Sequence, residues 1–122
     1  MLFIQGFSRG RIPLEYLEDI IDAIEKIEKY TQNIDFNKFS KNNMVIDAVI
    51  RNFEIIGEAT KKIPAEIKEK YPEVEWKEAM GFRNVLIHDY FGIDIEAVWD
   101  TLQKNLPTFK KHILNVFKDQ KN

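Results

Sequence analysis

What most constrains this chain is the spacing of its apolar residues, which recur at three and four positions almost throughout. No five-residue run shows the β-branched alternation of a half-buried strand. Between Pro13 and about Tyr30 the stripe is Leu17, Ile20, Ile21, Ile24 and Ile27, one face of an amphipathic helix. Pro13 suits its first turn, where a missing N–H costs nothing. The polar face offers Asp22 with Lys26 and Glu25 with Lys29, each an acid four residues before a base. Thr31 to Ser40 then breaks the pattern.

Ser40 is the expected N-cap of a second long helix, with Met44, Val45, Ala48, Val49, Phe53, Ile56, Ala59 and Ile63 on its apolar face and Pro64 as its stop. Gly57 interrupts that helix at a propensity cost of about 1 kcal/mol, which predicts close approach by a neighbouring backbone. A short helix follows from Pro64 to Tyr71. A third substantial one is expected from Glu75 through Phe82 to about His88 or Tyr90, and a last one from an Asp94 N-cap, kinked or split at Pro107. The prediction is an all-α, up-and-down bundle of four main helices plus short ones. Residues 1–122 form one domain, with 1–12 and 118–122 expected to be poorly ordered.

Composition limits the chemistry. With 122 residues and 44% hydrophobic side chains the chain can bury one core without staples, and no apolar run approaches the roughly 20 residues that span a bilayer. The first residues lack the long apolar region and cleavage site of a signal peptide, so a soluble, cytoplasmic protein is expected. The absence of Cys excludes disulfides, Cys-based zinc sites and a Cys nucleophile, and two His make a His-rich metal site improbable; neither metal nor cofactor is expected. A net charge of −2 argues against coating nucleic acid by charge alone. That sum hides an asymmetry: residues 104–122 hold five Lys against one Asp, while residues 14–28 hold six acids against one Lys. Lysines of the C-terminal part would then flank a phosphate-binding cleft.

One segment carries unusual functional groups: Arg83-Asn84-Val85-Leu86-Ile87-His88-Asp89-Tyr90. Read as a helix at about 100° per residue, Tyr90 falls some 20° from Arg83, Asn84 about 100° and His88 about 140° from it, so all four can share one broad face. Ile87 falls inside that polar arc, where a second subunit would cover it. Each residue alone has an ordinary reading: Arg83 in a surface ion pair with Glu58, His88 as a charge at a helix end, Tyr90 as a packing aromatic. Trp76 and Trp99 read as core, and His112, beside Lys110 and Lys111, as part of a solvated basic face. Together, Arg, Asn, His and Tyr without acid clusters suit metal-independent work on phosphates. Arg matches a phosphate bidentately and His moves protons near neutral pH. Cleavage of RNA by its own 2′-OH needs a base and an acid, which two chains around a two-fold axis would supply.

The segment resembles the R-x4-H-x-Y signature of HEPN-domain proteins of the HepT type, the toxin partners of MNT-type minimal nucleotidyltransferases. The likeness runs over roughly residues 14–116, through the block from Leu14 to Thr31, Ile56-Gly57-Glu58-Ala59, Tyr71-Pro72 with Trp76 four residues on, and the stretches from Gly81 to Asp94 and from Ala97 to Phe109. The resemblance implies a HEPN-like bundle that dimerises, with the Arg and His of both subunits lining a cleft that cuts RNA without a metal. It implies Arg83 and His88 as catalytic, Asn84 as supporting, and Tyr90 as the residue to which a partner nucleotidyltransferase transfers AMP. Glu58, if it faces the motif, would hold Arg83 or His88. RNA and the nucleotidyltransferase are the expected partners, and DNA and membrane are not. The alternative is a non-catalytic helical module that binds a nucleotide or docks on a nucleotidyltransferase.

Overall fold

The computed structural model describes residues 11–82, the backbone of residues 87 and 88, and residues 92–122. Among the described residues it is all-α apart from one two-residue pairing of strands. Helix α1 (Pro13–Tyr30) starts at Pro13, and Glu15 Oε1 accepts the Ile12 N–H at 3.0 Å, satisfying one donor at the helix start. Of its predicted stripe, Leu17, Ile20, Ile24 and Ile27 are buried together with Ala23, and Ile21 packs at the core's edge. On the outer face Asp22 and Lys26 pair at 3.2 Å.

The stretch expected to be irregular contains helix α2 (Phe36–Ser40), whose start is capped by Asp35 Oδ1 accepting from the Lys38 N–H at 2.9 Å. Ser40 therefore ends a helix instead of starting one. The cap of α3 (Asn43–Lys62) is Asn42, whose Oδ1 accepts the Val45 N–H at 3.1 Å. Asn and Ser cap about equally well, so composition could not choose between positions 40 and 42. Met44, placed by the periodicity on the buried face, is 83% exposed in the first turn of α3. From Ile46 onward the apolar face is buried, through Val49, Ile50, Phe53 and Ile56, and packs chiefly on α1.

Helix α4 (Ala65–Lys70) follows Pro64 as expected, and α5 (Trp76–Met80) begins one residue past the expected Glu75. The carbonyls of Ala79 and Met80 lie where they would be 3.4 Å from a Cβ at Gly57, which is the close approach that residue predicted. Phe82 then stacks edge-on with Phe53 of α3, at 5.2 Å between centroids, and with Phe109, at 5.9 Å. Burial of these three rings joins α3, the end of the α5 region and the C-terminal helix in one column.

After strands β1 (Ile87–His88) and β2 (Gly92–Ile93), Asp94 Oδ1 accepts the Ala97 N–H at 3.0 Å and opens α6 (Ile95–Asp100) at the residue expected. Pro107 does interrupt the last helix, by widening it. Residues Thr101–Asn105 form a π-helical turn in which the Leu106 N–H reaches the Thr101 carbonyl, and α7 (Leu106–Lys121) continues from there with Pro107 in its first turn. The wide turn lets the chain pass a residue that has no N–H to donate. The last residues run helically to Lys121, where Asp119 accepts a hydrogen bond from the Tyr71 hydroxyl and the Gln120 amide donates to that hydroxyl at 3.1 Å. Trp76 is buried, its indole N–H donating to the Tyr71 carbonyl at 3.0 Å, and Trp99 is half-buried against Phe36 and Phe39. Among the described residues no helix is long and apolar enough to cross a membrane.

Candidate functional site

The Arg83–Tyr90 segment is bracketed by two anchored ends. Upstream, Gly57 admits the α5 backbone and Phe82 is fixed between Phe53 and Phe109. Downstream, the Asp94 cap starts α6. Arg83, Asn84 and Tyr90 lie outside the described residues, and for His88 only the backbone is described. That backbone corrects the expectation of a helix running to His88 or Tyr90. Ile87 pairs with Ile93 and His88 with Gly92 in an antiparallel ladder. Gly92 sits at φ +107°, a conformation that side-chain-bearing residues rarely adopt, and β-branched Ile occupies both positions of the first pair. A helical wheel therefore does not extend across residues 87 and 88, and the angle assigned to His88 does not hold. The three residues between His88 and Gly92 are an ordinary hairpin spacing, a signal masked by the helical periodicity on either side.

Glu58 is on the outer side of α3, exposed, with Oε1 3.5 Å from Lys61 Nζ. It borders a cavity of about 230 Å³ between the start of α1 and the second half of α3, together with Arg11, Tyr16, Arg51, Ile55 and Ala59. At its α1 side Arg11 Nη2 is 2.8 Å from Asp19 Oδ2, and Arg11 donates to the Glu15 carbonyl at 3.3 Å. The guanidinium lies 4.6 Å over the Tyr16 ring. The hydrogen bond to Asp19 raises the Arg11 pKa above its ordinary value, so the group is a fixed cation. On α3, Arg51 is 3.7 Å from Glu54. None of these groups except Glu58 stood out in the sequence, because Arg11, Tyr16 and Asp19 meet Arg51 and Ile55 only once α1 packs on α3.

Two further groups bear on the surroundings. Lys68 on α4 reaches Met80 Sδ at 3.6 Å, and burial there lowers its pKa. His112 is not on a solvated basic face as expected. It is partly buried with Nδ1 3.0 Å from Glu75 Oε1, tying α7 to the residue before α5. Among the described residues no three His, Asp or Glu side chains are grouped as a metal ion would require.

Comparison with known proteins adds a second line of observation. Residues 20–116 match the family model described as "Ribonuclease HepT-like". The chain is 46% identical over 96 residues to the probable ribonuclease HepT of Thermococcus cleftensis, covering 79% of this chain and 87% of that protein. It is 42% identical over 104 residues to a protein of Methanocaldococcus jannaschii named as a candidate RNase, covering 85% and 86% of the two chains. A similarly named protein of Caldanaerobacter subterraneus subsp. tengcongensis is 37% identical over 111 residues, 91% of this chain and 99% of that one. No solved structure matches the chain.

Proposed function

The chain belongs to the HepT-like ribonuclease family, and from that premise we propose that it is a metal-independent endoribonuclease, the toxin of a HEPN/MNT toxin–antitoxin pair acting on RNA in the cytoplasm. The observation that carries the reading is that the matched span, residues 20–116, contains the whole Arg83–Tyr90 segment. In the proposed reaction two chains meet around a two-fold axis, so each cleft holds two Arg83 and two His88 side chains. The neutral imidazole of one His88 takes the proton of a ribose 2′-OH, and the oxygen attacks the adjacent phosphorus. The Arg83 guanidinium, with its planar fork, holds the phosphate oxygens and stabilises the charge gathered on them in the transition state. The 5′-oxygen leaves with a proton from the partner's His88, giving a 2′,3′-cyclic phosphate on one fragment and a 5′-hydroxyl on the other. Asn84 orients the phosphate. Attack of the Tyr90 hydroxyl on the α-phosphorus of ATP, catalysed by an MNT-type nucleotidyltransferase and releasing pyrophosphate, leaves AMP on the tyrosine and closes the cleft by adding bulk and a negative charge.

The test is cleavage of a labelled RNA in EDTA. The expected result is fragments ending in a 2′,3′-cyclic phosphate, and loss of roughly 10²- to 10⁴-fold in rate for His88→Ala. Full activity of that variant sinks the mechanism. The same assay after incubation with a nucleotidyltransferase and ATP tests the switch: wild-type protein falls silent and Tyr90→Phe stays active.

A further inference from the structure

The cavity between α1 and α3 is built in a way that the cleavage chemistry does not use. Its volume of about 230 Å³ equals the liquid share of roughly seven or eight waters, room for one planar ring system. One wall is the Arg11 guanidinium. Asp19 holds one of its nitrogens at 2.8 Å, its central carbon sits 4.6 Å over the Tyr16 ring, and 41% of the side chain is still exposed. A guanidinium fixed in this way is a preorganised stacking surface, because neither its rotamer nor its orientation has to be set when a ligand arrives. Ile55 and Ala59 give the groove an apolar floor. The other polar groups are the cations Arg51, exposed over most of its side chain and 3.7 Å from Glu54, and Lys62, with the carboxylates Asp19, Glu54 and Glu58, of which Glu58 is the most exposed and the acceptor open to a ligand. Flat stacking face, apolar floor, cation and acceptor together are the requirements of a single splayed nucleotide.

We infer that this groove is a base-reading subsite for one unpaired nucleotide of the RNA strand, with guanine as its preferred base. The inference rests on the ribonuclease reading for the identity of the strand, while the groove itself stands on the contacts above. An ionised carboxylate only accepts hydrogen bonds. Guanine presents two adjacent donors, N1–H and the N2 amino group, to one carboxylate. Uracil presents a single N–H between two carbonyls that a carboxylate repels. Arg51 takes the phosphate of the bound nucleotide, and the base stacks on the outer face of Arg11.

The experiment is titration of guanosine 5′-monophosphate and uridine 5′-monophosphate into ¹⁵N-labelled full-length protein. Guanosine monophosphate is expected to shift the amides of Tyr16 and Ala59 and to bind about fivefold more tightly than uridine monophosphate, the equivalent of one net hydrogen bond. Glu58→Gln should erase that ratio, since an amide donates as well as accepts, and Arg51→Gln should weaken both nucleotides alike. Glu58 is exposed, so its replacement leaves the fold intact. Equal affinity for the two nucleotides, shifts confined to other parts of the molecule, or an unchanged ratio in Glu58→Gln overturns the proposal. Cleavage of paired RNAs with G or U beside the cut separates it from the proposed function. Cleavage with no base preference removes the subsite and leaves the ribonuclease. Base discrimination in binding with no cleavage removes the ribonuclease and leaves the subsite.

Discussion

Gly57 shows how one residue's missing atoms position an entire segment. A Cβ there would stand 3.4 Å from both the Ala79 and Met80 carbonyl oxygens, an ordinary contact at its near limit. Alanine therefore fits, and its gain of about 1 kcal/mol in helix propensity offsets the crowding, so Gly57→Ala should change stability by less than about 1 kcal/mol. Leucine cannot be placed without moving the backbone of α5, and overpacking of that kind costs about 1–3 kcal/mol. Urea unfolding of the two variants checks this, and a Gly57→Leu protein as stable as wild type refutes the close approach. This feature was legible in the sequence because a glycine inside a strongly periodic helix has a known cost and needs a reason. The Arg11, Tyr16 and Asp19 cluster was not, since an Arg, a Tyr and an Asp at a helix start are ordinary until α3 is laid against them. His112 misled for the same reason: its sequence neighbours are lysines, and its partner in space is Glu75.

At the scale of elements, the expectations held where chemistry forces a boundary and slipped where several residues could serve. Pro13, Pro64 and Asp94 each mark a helix end within a residue of where they were read, because a missing N–H or a capping carboxylate leaves little choice. Ser40 and Asn42 are equivalent caps, and only the short helix α2 decides between them. The segment 87–93 failed differently. Its apolar spacing suits a helix, yet Ile87–His88 pairs with Gly92–Ile93 only four to six residues on, a local pairing that depends on the backbone freedom of Gly92 and that apolar spacing does not register. Gly92 is the residue on which that pairing turns. At φ +107°, with nothing within 4 Å of where a Cβ would sit, Gly92→Ala meets no steric neighbour and suffers through its own backbone, at a cost of about 1–3 kcal/mol. Since Gly92 is paired with His88, the variant should also lose about 10²-fold in RNA cleavage, the effect of a reacting group misplaced by about 1 Å. Urea unfolding and the EDTA cleavage assay read the two losses separately. A Gly92→Ala protein with both unchanged shows that the ladder has no part in placing His88.

For the molecule as a whole, the net charge of −2 is distributed by the fold. Asp119, the single acid among residues 104–122, is engaged by Tyr71, Lys110 is 2.9 Å from Glu28 of the acidic α1, and Lys104 reaches Asp100 at 3.9 Å. The exposed Lys111 and Lys118 on α7 have no carboxylate within ion-pair distance among the described residues. A chain that is acidic overall thus keeps two cations of α7 free of carboxylates, and under the proposed function these would add to the attraction of a phosphate strand without broad electrostatic coating. The proposed reaction asks more of the assembly than of the charge, because one His88 must act as base and the other as acid. If both are needed in the same cleft, a dimer with one His88→Ala subunit is as inactive as a dimer with two. When wild-type and His88→Ala chains are unfolded together, mixed in equal amounts and refolded, random pairing leaves about one quarter of dimers fully wild type. Activity per total chain should then follow the square of the wild-type fraction. A straight-line dependence would mean that each subunit cuts with its own Arg83 and His88, and the two-chain mechanism would have to be abandoned in favour of an acid and a base found within one chain.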